Sequence, residues 1–292
     1  MVDYTVQGAG VRREHIDGAV KAVALMEYKL KTLCTIDSSD SFTESYYRET
    51  NTDPTSPATA TATLNIKGLP QLAPFPYAEV TETKVSSVVL KYALEGMVSW
   101  EVTQNSVVPM LARTILRIGR GIAKSVDTAI EVVIAAQTGN SVAVAAGSEW
   151  DSATVANRDP IKNILDAIQL IRADNIDPLN GNGYLVLNGT DYTNLISNTK
   201  IINSPTFKTA DVISNGVVAN ICGLSVMVSE VVTADKAYVV VKGEALEYKQ
   251  AEALTVQQVE DPGIKVTIRA WERGAIQCPA PNGIALITNT RA

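Results

Sequence analysis

The stretch SVVPMLARTILRIGRGIAKSVDTAIEVVIAA, residues 106–136, decides the architecture. Its apolar residues Val108, Leu111, Ile115, Ile118, Ile122, Val126, Ala129 and Val133 follow one another in steps of three or four, which is one face of an α-helix. Ser106 reads as the N-cap, and it places Pro109 in the first turn, where a missing amide donor is tolerated. At 1.5 Å per residue the helix should run roughly 45 Å, well beyond the usual three or four turns. Gly119 and Gly121 sit inside it at a cost of about 1 kcal/mol each relative to alanine, and imply a bend or a close backbone contact. Arg113, Arg117, Arg120 and Lys124 lie opposite the apolar face, and Asp127 and Glu131 continue that charged series. The charged face is either a solvated helix surface or a contact for another macromolecule.

Upstream, Ala78–Leu94 alternates in polarity and is rich in Val and Thr, and Ala58–Asn65 alternates small apolar residues with Thr. Both have the period of two of a strand. Between them Lys67–Pro76 is punctuated by proline, so the two segments read as a long hairpin with a wide tip. A two-stranded hairpin is marginal alone in water and is expected to lie on something else. Before it, residues 35–63 hold 13 Ser or Thr in 29, too polar a stretch to bury, and read as an extended excursion or a linker. Residues 12–34 read as a helix through Ile16, Ala19, Val20, Val23, Met26, Leu30 and Leu33.

Downstream, residues 144–240 alternate helices with strands. Asp159-Pro160 is a helix start, with Ile161, Ile164, Leu165, Ile168 and Ile171 as its apolar face. The turn Asn180–Gly183 leads into a buried strand Tyr184–Leu187, and a short helix follows with Tyr192, Leu195 and Ile196. Further strands are expected at Leu224–Val228, Ala237–Val241, Leu254–Val259, Ile264–Trp271 and Ile284–Thr288. Asp261-Pro262-Gly263 between two of them fits a type II turn.

Little in the sequence asks for catalysis. The one histidine, His15, stands in the N-terminal helix without a partner in pattern. Gly119–Ser125 resembles a phosphate-binding loop only loosely, since Ala123 replaces the glycine before Lys124 and the segment lies inside the long helix. Gly181-Asn-Gly183 lacks the third glycine of a dinucleotide fingerprint and precedes its strand. Cys34, Cys222 and Cys278 form no CxxC pair, so neither a disulfide framework nor a zinc site is indicated. No catalytic, cofactor-binding or metal residue is assigned. A net charge of −6 argues against a dedicated nucleic-acid binder, while leaving room for a local basic face. No apolar run approaches the ~18 residues needed to cross a bilayer, and no signal core is evident, so a soluble intracellular protein is expected.

The order of parts resembles the major capsid proteins of tailed double-stranded DNA bacteriophages, the HK97-like capsid fold. The best local matches are Val80–Ile134, similar to a hairpin return strand leading into a spine helix, and Asp177–Asn188, similar to the axial-domain helix, turn and buried strand. Arg269–Gly274, Cys278-Pro279-Ala280 and Ile284–Ile287 resemble the closing strands. The resemblance implies an α+β chain in four parts: an N-terminal arm (1–49), an extended E-loop hairpin (50–95), a peripheral domain with the spine helix (96–143 and 241–292), and an α/β axial domain (144–240).

On the same resemblance the function is structural and non-enzymatic: hexamers and pentamers assembling into an icosahedral shell around double-stranded DNA. The implied partners are further copies of the chain, scaffolding and portal proteins, and DNA held without sequence preference; no cofactor or membrane is implied. The place is the virion capsid, assembled in the host cytoplasm. Arg113, Arg117, Arg120 and Lys124 become candidates for contact with a subunit or DNA, and Lys67, Leu69, Leu72 and Phe75 for contact at the E-loop tip. Two other readings remain: an encapsulin-type nanocompartment shell, and a secreted adhesive or surface-layer protein suggested by the Ser/Thr-rich stretch.

Overall fold

The long helix forms over Met110–Ala135, 26 residues or about 39 Å. The structure, a computed structural model, describes residues 18–24, 27–49, 71–72, 82–105, 110–198, 201 and 220–292. In chain order its elements are helix α1 (18–24), strands β1 (Thr35–Ser38), β2 (Thr43–Glu49), β3 (Glu82–Val88) and β4 (Leu90–Ser99), and helices α2 (Trp100–Asn105) and α3 (Met110–Ala135). There follow β5 (Asn140–Ala143), α4 (Pro160–Ala173), β6 (Gly183–Leu187), α5 (Gly189–Ile196), β7 (Asn220–Ile221), β8 (Leu224–Val228), β9 (Lys236–Val241), β10 (Glu247–Asp261), β11 (Lys265–Gln277) and β12 (Ile284–Thr288).

Among the described residues the strands form three sheets. One has four strands in the order β1-β10-β11-β4, one has six in the order β5-β12-β9-β6-β8-β7, and β2 pairs with β3 alone. The six-stranded sheet is buried on both faces, so its central strands are runs such as YVVV and IALI rather than alternating patterns. Val186, Tyr238, Val240, Ile284 and Leu286 join the core around α3, while Leu185, Leu187, Val239, Ala285 and Ile287 join the core around α4. Asp159 caps α4 by accepting from the Lys162 amide, with Pro160 in the first position as expected. The β10–β11 turn is closed by the Ile264 amide on the Asp261 carbonyl at 3.0 Å, and Gly263 supplies the positive φ of +76° that the type II turn needs.

The two glycines in α3 mark close approaches on opposite sides. A Cβ at Gly119 would lie 3.1 Å from Val23 Cγ1 and 3.3 Å from the Val20 carbonyl oxygen, and one at Gly121 would lie 2.7 Å from Leu94 Cδ2. Glycine at these positions therefore lets α1 and β4 press against the helix backbone from either side.

Several expectations are corrected. The N-terminal helix is not continuous over 12–34: it is helical over 18–24 and becomes a 3₁₀ turn at Leu30–Leu33, where backbone amides are drawn to the Asp127 carboxylate. The hairpin's first strand, at its described base, is β2 and not part of the arm; Thr43↔Val88 through Glu49↔Glu82 are paired, and the expected strand Ala58–Asn65 lies outside the described residues. Ala78–Leu94 is not one strand, because the chain passes from the two-stranded to the four-stranded sheet at Val89, whose amide bonds the Phe42 carbonyl. Ile284–Thr288 does not stay with the peripheral strands. It lies between β5 and β9, since an all-apolar strand is accommodated where both faces are covered. On α3, Ile130 and Ile134 are fully buried while Ala129 and Val133 are half-buried, because the C-terminal half packs on the six-stranded sheet instead of the four-stranded one. Ser106, Val108 and the Leu111 side chain lie outside what the structure describes.

Candidate assembly surface

The arm is fastened to the body by charges that the fold takes inward. Asp127, 2% exposed, accepts from the amides of Lys29 at 2.8 Å and Lys31 at 3.1 Å. Desolvation nevertheless outweighs those bonds and pushes its pKa above the ordinary carboxylate value. One turn on, Glu131 is 6% exposed and accepts from Tyr238 Oη at 2.8 Å and Thr233 Oγ1 at 2.9 Å. The Lys31 ammonium pairs with the Glu272 carboxylate inside the core and lies 4.6 Å from the Tyr28 ring centre and 4.5 Å from that of Tyr248. None of these partnerships was visible in the sequence. Asp127 and Glu131 continue the exposed stripe of Arg120 and Lys124 in spacing, and only the arm and β9 packing over them turn them into interior groups.

The charge left outside on α3 is cationic. Arg113, Arg117, Arg120 and Lys124 are all exposed, as expected, and the helix presents no acid beside them. Arg120 Nε reaches Glu27 of the arm at 2.8 Å, so this one cation contacts its own chain, on an exposed pair. Arg113, Arg117 and Lys124 have no ion-pair partner among the described residues.

The second surface is the hairpin base. Tyr47 and Val88 are each 60% exposed and lie on one face with Thr43, Ser45, Lys84 and Ser86. Of the tip candidates, Leu72 is fully exposed with a positive φ of 65°. Lys67, Leu69 and Phe75 lie outside the described residues, as does His15.

The remaining chemistry is structural. Gly119–Ser125 is continuous helix, so its amides are spent within α3 and cannot cradle a phosphate. Cys34, Cys222 and Cys278 are free, and burial raises the thiols of Cys34 to about 12 and Cys278 to about 11, which keeps both protonated at neutral pH. Among the described residues no group of three or more His, Cys, Asp or Glu is placed to hold a metal ion, and no helix is long and apolar enough to cross a membrane.

The chain superimposes on the structure described as Mycobacterium phage Che8 with a TM-score of 0.66 at 16% identity, over 91% of this chain and 92% of that one. The mature capsid of bacteriophage PhiM1 gives 0.64 at 15% identity over 91% and 88%. A virus-like particle from Pyrococcus furiosus gives 0.62 at 12% identity over 94% and 99%. The fold is the HK97-like capsid fold. No curated protein matches the sequence. A family model described as phage capsid protein matches residues 82–287, and the chain belongs to that family: it is a capsid shell protein.

Proposed function

We propose that this chain is the major subunit of a phage head, assembling through hexamers and pentamers into an icosahedral shell that encloses double-stranded DNA. The family match across residues 82–287, most of the chain, carries this reading. The architecture supports it: an exposed hairpin base with Tyr47 and Val88 outward is poorly suited to a monomer and well suited to a subunit that overlaps its neighbours. In this reading the β2–β3 hairpin is the E loop, α3 the spine helix, the sheet β1-β10-β11-β4 the peripheral domain, and the six-stranded sheet with α4 and α5 the axial domain. Scaffolding and portal proteins act as assembly partners in the host cytoplasm. Lys67, Leu69, Leu72 and Phe75 are proposed to contact a neighbouring subunit.

Electron microscopy and sedimentation of the purified chain over a range of concentration and salt test the shell, and a compact monomer throughout would overturn it. Nuclease treatment of particles from their native source tests the contents: protected double-stranded DNA is expected. The likeness to the Pyrococcus furiosus virus-like particle, which covers 99% of that chain, favours a nanocompartment as the second reading. Protein cargo without protected DNA would establish that second reading instead.

A further inference from the structure

We propose that the exposed face of α3 is a contact surface for the phosphate backbone of duplex DNA, a role resting on the reading of the chain as a DNA-enclosing shell subunit. In sequence the series Arg113, Arg117, Arg120, Lys124, Asp127, Glu131 is a mixed-charge stripe. Folding sorts it. Both acids are consumed inside the subunit, Asp127 by the arm amides and Glu131 by Thr233 and Tyr238, and all four cations remain in solvent. Among the described residues only Glu27 offsets them, through Arg120. A chain whose net charge is −6 thus concentrates on one face of one helix three cations that have no ion-pair partner among the described residues.

The rest of that face favours a polyanion over a protein partner. Around the cations stand Ala112, Ser125 and Thr128, all exposed, with the apolar Met110, Leu116 and Val132 exposed by 40%, 39% and 61% and no aromatic side chain. Protein interface cores are built from desolvated aromatic and apolar anchors, whereas a phosphate backbone needs only mobile positive charge and is held by counterion release. From Arg113 to Lys124 the stripe runs about 16 Å along the helix, long enough to meet several phosphates in succession. Nothing on the face is arranged to read bases, so the contact is independent of sequence.

The test uses the purified chain held below its assembly concentration, with a fluorescent duplex of about 25 base pairs. With three phosphates neutralised, affinity should fall about 40-fold between about 50 and about 200 mM salt. Replacing three of these cations together, Arg113→Gln, Arg117→Gln and Lys124→Gln, should reduce that dependence to about 4-fold or less and weaken binding at the lower salt. A control losing the same three charges elsewhere, Lys162→Gln, Arg172→Gln and Lys242→Gln, all exposed, should bind as the unaltered chain does. Equal affinity and salt dependence in the α3 variant and the unaltered chain overturns the proposal. If that variant instead keeps its DNA affinity but no longer forms shells, the face is a protein contact, which also overturns it. Shell formation by the unaltered chain is scored separately, so a protein that makes no shells fails the capsid reading, while shells with unchanged DNA binding fail only this inference.

Discussion

Lys31 and Glu272 form an ion pair sealed inside the subunit, their side chains 8% and 0% exposed although 241 residues separate them in sequence. Tyr28 Oη donates to the second oxygen of Glu272 at 2.5 Å. The pair joins the arm to β11, an inner strand of the four-stranded sheet that packs on α3. Lys31→Met should cost about 3–5 kcal/mol, because it leaves a buried carboxylate without its cation. Adding Glu272→Leu should recover much of that loss, since the charge needing compensation goes with it. Urea unfolding of the two variants decides the matter; equal stability in both would mean that the pair is not buried as described.

Asp127 provides a pH test. Its folded-state pKa is raised, chiefly by desolvation, so the folded chain holds this proton more tightly than the unfolded chain. The group therefore favours folding fully below the ordinary Asp value of about 3.9, and that contribution is lost as pH rises through the raised value. Asp127→Asn keeps an acceptor for only one of the two arm amides, which bind different carboxylate oxygens, and abolishes the titration. The stability of the unaltered chain relative to this variant should fall as pH rises from the ordinary value through the raised one, then level off. Parallel urea midpoints at every pH would contradict this.

The two faces of α3 should respond in opposite ways. Ile118 is 2% exposed, and its Cδ1 would lie 2.9 Å from a Cβ built on Gly96. Ile118→Ala should cost about 2–5 kcal/mol through lost burial and the cavity left behind. Gly96→Val should cost at least about 1–3 kcal/mol by forcing β4 off the helix. Arg117→Ala, on the exposed face, should change stability by less than about 1 kcal/mol. Thermal melts rank the three.

The hairpin base should matter for assembly and not for folding. Tyr47→Asp and Val88→Asp place charge on side chains that are 60% exposed, so the subunit's melting temperature should change little. Shell yield, counted by electron microscopy at matched concentration, should fall sharply. Normal shells from both variants would remove this face from the assembly surface.

The sequence by itself determined the elements whose periodicity is local. The phase of α3 around Ile115, Ile118 and Ile122, the Asp159 cap, the Asp261–Gly263 turn and the bounds of Ile284–Thr288 follow from spacing and from residues with restricted backbones, and each formed where it was read. Four cations on one face of α3 were equally legible. Tertiary structure alone decided pairing and burial of charge. Nothing in Thr43–Glu49 states that it pairs with Glu82–Val88, because register is set by a partner many residues away. Ile284–Thr288 looks the same in sequence whichever sheet takes it. Asp127 and Glu131 share their helical stripe with Arg120 and Lys124, and only the arm and β9 arriving over that end of the helix make them interior acids. The physical reason is that a helix's own geometry fixes which side chains share a face, while desolvation depends on what else the chain brings to cover it.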